Sequence, residues 1–107
     1  MYSEEYMVDL FALLKKTARG GKEMETKIAL IGIIVEDMKA VEPVNQLLHV
    51  HNQYIVGRMG LPYREKGVNI ISVVIDAPEN VISSLSGKLG MLEGISVKSV
   101  QAKTKKQ

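Results

Sequence analysis

The residues best equipped for chemistry are few and scattered. His49 and His51 offer imidazoles, Arg58, Arg64 and Lys88 offer cations, and Tyr63 offers a phenol beside the glycines Gly57 and Gly60. The two histidines stand two apart on a predicted helix, so they face different sides and cannot share one ion. They read as a solvated helix end, unless one joins a site shared between subunits. Ser86-Gly87-Lys88 has the residue types that end a phosphate-binding loop, but such a lysine works only where a glycine-rich turn opens a helix. Here it falls in the last turns of a predicted helix, where a cation suits the dipole, Gly87 allows close packing, and Lys88 is a candidate for holding an anion at a subunit boundary. Arg58, Tyr63 and Arg64 are the better ligand candidates. Gly57 and Gly60 let a small molecule approach the backbone, Arg58 can fork onto a carboxylate or phosphate, and Tyr63 can stack or hydrogen-bond. The bland alternative is a tight turn with a surface ion pair to Glu65 or to a neighbouring subunit. No nucleophile stands with a base, and the acids sit mainly at predicted helix starts, where capping explains them, or in loops. The reading is therefore not an enzyme, with no cofactor and no metal ligand set.

The elements that position these residues follow from hydrophobic period. Ile28 to Val35 is a continuous, largely β-branched run of strand length. Glu36-Asp37 ends it and can cap a helix with apolar positions Val41, Val44, Leu47 and Leu48. Pro43 falls beyond the first turn if Asp37 is the cap, which predicts an irregular opening or a later start. Tyr54 to Gly60 is a glycine-punctured strand, expected to be a bulged edge, running into a long hairpin connection from Leu61 to Gly67. Val68 to Ile75 is the third strand. Pro78-Glu79 opens a second helix with Val81, Ile82, Leu85 and Leu89 as its buried stripe and Gly90 as its left-handed stop. Ile95 to Ala102 is the last strand, and residues 104–107 form a basic tail.

Strand, helix, strand, hairpin, strand, helix, strand is the split βαβ order of α+β, ferredoxin-like folds, with an antiparallel sheet and the first and third strands at its centre. Those two strands lack polar alternation, as central strands should. Two helices cover one sheet face only, so apolar residues on the other face need a cover, and a second subunit is the simplest. A homo-oligomer, dimer or tetramer, is expected. Residues 1–23 stand apart from the domain at 24–103. Residues 2–19 have helical spacing at Tyr6, Met7, Leu10, Phe11, Leu14 and Ala18, and Gly20-Gly21 makes a joint. Two readings stand for this extension: a native helix that packs on the domain or a partner, or an upstream stretch preceding a natural start at Met24.

Composition narrows the class. A chain of 107 residues suits one domain, and zero cysteines exclude disulfides and thiolate metal sites, which fits a cytoplasmic address. The longest apolar run is far short of the about 20 residues that span a bilayer. A net charge of +2 from 14 basic and 12 acidic residues argues against nucleic acid as a partner.

Three stretches carry a family resemblance: Tyr54-Ile55-Val56-Gly57-Arg58-Met59-Gly60-Leu61-Pro62-Tyr63-Arg64, then Ile70 to Pro78, then Leu85-Ser86-Gly87-Lys88-Leu89-Gly90-Met91-Leu92-Glu93-Gly94-Ile95-Ser96-Val97-Lys98. Residues 24–103 resemble the iron-only hydrogenase system regulators of bacteria, small stand-alone proteins with an ACT-like, ferredoxin-like fold. The fold implied is also similar to the C-terminal regulatory domain of nickel-responsive repressors and to amino-acid-binding ACT domains. This chain departs from both. Where those ACT domains place a glycine after the first strand, Glu36-Asp37-Met38 would repel a carboxylate; the nickel-type ligand set of several histidines and a thiolate is missing. The resemblance implies a non-catalytic regulatory or ligand-sensing module for an iron-only hydrogenase system. A ligand-free oligomerisation or assembly factor for metalloenzyme maturation is the alternative, and metal sensing the third reading. Expected partners are the chain itself, a small-molecule anion and a further protein.

Overall fold

The computed structural model describes residues 25–103; the expected helix at 2–19, its joint and the tail at 104–107 lie outside them. Six main elements follow in order: β1 (Lys27–Val35), α1 (Val41–Val50), β2 (Ile55–Tyr63), β3 (Val68–Ala77), α2 (Glu79–Gly90) and β4 (Ile95–Gln101). The four strands form one sheet in the order β2-β3-β1-β4. All three pairings are antiparallel. The most apolar strands, β1 and β3, hold the centre, paired without interruption from Lys27↔Ala77 to Val35↔Asn69. This is the ferredoxin-like α+β arrangement that the order of elements implies.

One face of the sheet and both helices enclose the core. Ile31, Ile33 and Val35 of β1 and Val73 and Ile75 of β3 are fully buried against Val44 and Leu48 of α1 and Ile82, Leu85 and Leu89 of α2. Each such side chain contributes roughly 1.5–3 kcal/mol of transfer free energy. Every side chain that is buried as a whole among the described residues is apolar, so apolar burial dominates the interior. The opposite face has no such cover among them: Ile28 is 47%, Leu30 46% and Ile34 40% exposed.

Local chemistry sets the ends of the elements. Asp37 caps a 3-10 turn at Met38–Ala40, accepting from the Lys39 amide at 3.0 Å. The α-helix proper then begins at Val41. Pro43 therefore lies in the first helical turn, where an amide has no intrahelical acceptor to lose. The proline that forbids a helix starting at Asp37 is compatible with one starting four residues later.

Three boundaries differ from the sequence reading. β2 continues through Leu61 and Pro62 to Tyr63, with Pro62 opposite Asn69, where a loop was expected. An edge strand tolerates proline where its nitrogen faces away from the neighbouring strand. Pro78 is the residue before α2 rather than its first position, and its carbonyl accepts from Val81 and Ile82 at 2.9 and 3.1 Å. Gly90 is still helical and not left-handed. The positive backbone angles among the described residues belong to Gly67 (φ 67°) and Gly94 (φ 83°). Tight turns from Met91 to Lys88 and Leu92 to Leu89 close α2, which moves the reversal of chain direction to Gly94. The expected bulge is present: Ile55 pairs with Ile75 but Gly57 with Val74, so Val56 is the extra residue.

Candidate functional site

The phase of β2 decides where its chemistry goes. In a strand successive side chains alternate between faces, and one extra residue reverses that alternation. Ile55 points into the core, but after the bulge at Val56 it is Arg58, paired with buried Val73, that shares the helix-covered face. Its guanidinium donates to Asn45 Oδ1 on α1 at 3.0 Å. Gly60 pairs with buried Ile71 on that same face, whereas Gly57 pairs with Val74 and Tyr63 with Val68 on the uncovered face. Tyr63 is 41% exposed, and its hydroxyl donates to Glu65 Oε1 at 3.0 Å. Arg64 opens the 3-10 turn Arg64–Lys66, closed by Gly67 N–H donating to the Arg64 carbonyl at 3.1 Å. The structure thus divides these candidates between two sides of an edge strand and the turn that follows. A Cβ built at Gly57 or Gly60 meets nothing within 4 Å, so the backbone is approachable from both sides there.

Lys88 stands elsewhere, on α2. With Met91 and Leu92 it lines a shallow groove of about 390 Å³ whose other wall is Pro43, Gln46, Leu47 and Val50, the flank of α1. The lining is largely apolar with one cation at its edge. Ser86 and Gly87 lie inside α2, not at a helix start, which removes the setting that phosphate binding requires. Gly87 has no neighbour within 4 Å of where its Cβ would be, so it does not serve close packing. Ser86 Oγ is buried with no hydrogen-bond partner among the described residues.

The histidines separate as their spacing requires. His51 closes α1, with Nδ1 2.8 Å from the Leu47 carbonyl, and His49 sits on the exposed side of the last turn. Among the described residues no three His, Asp or Glu side chains gather as a metal site would need. No helix among them is long and apolar enough to cross a membrane.

Sequence reasoning missed one constellation. The Gly94 carbonyl accepts from both Glu36 and Asp37 amides, at 2.6 and 3.1 Å, and Ser96 Oγ donates to Glu36 Oε2 at 3.3 Å. This clasp ties the exit of β1 to the entry of β4, and the acidic pair belongs to it. The available signal was Glu93-Gly94 between a helix and a strand, but its acceptor role depends on contacts about 60 residues apart, beyond any local pattern.

No curated protein matches this chain. Among solved structures, an uncharacterized protein from Thermotoga maritima, TM1266, superposes with a TM-score of 0.71 at 39% identity, covering 74% of this chain and 100% of that one. A family model matches residues 27–99, the span from the first residue of β1 nearly to the end of β4. On that match the chain belongs to the TM1266-like family, described as "Iron-only hydrogenase system regulator, putative".

Proposed function

We propose that this chain is a non-catalytic regulatory module of an iron-only hydrogenase system, working as a homo-oligomer whose copies pair through the uncovered face of the sheet. The observation that carries the proposal is that face. Ile28, Leu30 and Ile34 of β1, Met59 and Tyr63 of β2 and Val100 of β4 all show large apolar surface there. Contiguous apolar patches of this kind mark interaction sites on small domains.

Regulation requires two states and a ligand that binds them unequally. A small anion is the proposed ligand, held at the edge of the sheet by Arg58 on the helix-covered side, where Gly60 gives access to the backbone, and by Arg64 on the adjoining turn, whereas Tyr63 and Gly57 face the side on which the copies pair. This reading is supported by the open space at Gly60 and by the position of the segment on the sheet's edge. Lys88 marks a second anion position, on the groove between the helices.

The experiment is light scattering of the full chain alongside thermal unfolding with phosphate, nucleotides, amino acids and divalent metals. A mass above one chain that falls to one with Leu30→Lys supports the pairing. Leu30 is half exposed in the single chain, so this substitution spares the fold. A ligand at 100 times its dissociation constant adds about 2.7 kcal/mol of stability, and Arg58→Ala should remove that gain while leaving the mass unchanged. A wild-type chain that stays single overturns the pairing. A stable oligomer that answers to no ligand points to an assembly factor instead.

A further inference from the structure

The uncovered face has relief, and the relief centres on a glycine. Gly32 lies at the middle of β1, a central strand, where glycine weakens a sheet and usually marks a bulge, a sharp bend or a close backbone approach. No bulge is present, since β1 pairs with β3 and β4 straight past Gly32, opposite Ser72 and Lys98. Its backbone angle is not among the positive ones. Nor does a neighbour crowd it: an added Cβ would meet only the Lys98 carbonyl oxygen, at 3.9 Å. Nothing within the described residues calls for a missing side chain there.

Its partner Ser72 is also small. On one side of this low row stand Leu30 and Val74, which pair with each other, and on the other Ile34 and Ile70. Rows on one face repeat every two residues, about 7 Å apart. The central strands therefore carry a notch floored by Gly32 and Ser72 between two apolar ridges.

We infer that this notch seats the Leu30–Val74 ridge of a second copy of the chain, making Gly32 the position that sets how two sheets dock. The inference rests on the sheet-face pairing proposed above and specifies its geometry. A twofold axis lying between the sheets, across the strands and midway between the two rows, puts Leu30 over the partner's Gly32 and Val74 over the partner's Ser72. The contact is isologous, so each notch is filled once. The same operation on β2 brings Met59 over the partner's Gly57, a second large side chain above a missing one. An axis along the strands instead lays ridge on ridge and notch on notch, leaving a void where interface cores are close-packed. Area is sufficient: four strands about 4.8 Å apart and about 30 Å long give a footprint of roughly 500 Å² per copy, about 1,000 Å² in all, the threshold for a specific interface.

The test uses the full chain and the substitutions Gly32→Val and Gly32→Leu, which fill the notch. The added side chain has room, and valine favours strands, so at concentrations where both proteins are single chains Gly32→Val should unfold at the same temperature as wild type or higher. Sedimentation equilibrium should show its dimer dissociation constant raised at least tenfold, with Ser72→Leu acting likewise and Gly87→Ala unchanged. If Gly32→Val pairs as tightly as wild type while Leu30→Lys separates the copies, the notch is wrong and the face pairing stands. If wild type is itself a single chain, the pairing falls and the second copy falls with it.

Discussion

Gly94 holds a position no other residue can hold without cost. Its φ of 83° lies in the left-handed region, and a Cβ there would overlap Asp37 Cβ, on a backbone that cannot retreat because Glu36 and Asp37 donate to the Gly94 carbonyl. Gly94→Ala should lower stability by about 2 kcal/mol or more, a fall of roughly 8 °C or more in Tm for a domain of this size, read by thermal unfolding. Gly87→Ala should do the reverse and add about 0.5–1 kcal/mol, because Gly87 sits inside α2 with space around it. Asp37→Ala, which removes the cap on Lys39, should cost about 1 kcal/mol in the same assay. Glycines of opposite consequence look alike in a sequence. Gly90 reads as the natural helix stop because it ends a hydrophobic stripe, yet the positive angle falls at Gly94, where a contact with the far end of β1 decides the backbone.

At the level of elements, the order of strands and helices was legible because period and apolar density differ sharply between β1, β3 and the two helices. The opening of α1 was legible too, since Pro43 pointed to an irregular opening or a later start, and the chain has both, a 3-10 turn at Met38–Ala40 and then the helix from Val41. β2 was not. Proline and glycine are turn signals in a single sequence, and only the pairing of Pro62 with Asn69 shows that Leu61 to Tyr63 is edge strand. The same strand explains why the candidate site was half visible. Arg58, Tyr63, Arg64 and Lys88 were identifiable by type, but the bulge at Val56 reverses the faces, so Arg58 goes to Asn45 and Tyr63 to the open side. Lys88 belongs to another surface altogether. Between elements, Lys27 Nζ and Glu79 Oε1 stand 3.3 Å apart with side chains 38% and 61% exposed. At that exposure the pair is worth less than about 1 kcal/mol, so Glu79→Gln should shift a urea midpoint only slightly.

For the whole molecule, one enclosed core leaves two apolar surfaces on opposite sides, the sheet face and the groove between α1 and α2. The need for a cover over the sheet was readable from Ile28 to Val35, apolar at every position but one small one, because two helices can shield only a single side. Its relief was not, since a notch exists only when Gly32 and Ser72 are placed in register. The two borders of the sheet also differ. β2 carries Pro62 and the extra Val56, which spoil it as a template for another strand, whereas β4 pairs evenly with β1 from end to end and has neither device. A sheet with one usable border can be extended once and then has nowhere to grow. The twofold axis proposed above, running across the strands, keeps β4 over the partner's β4, so both borders of a pair lie on one side; edge contact between two pairs through them completes a closed set of four and leaves no repeating edge contact for an open fibre. The scattering mass should accordingly level off at no more than four chains however concentrated the solution.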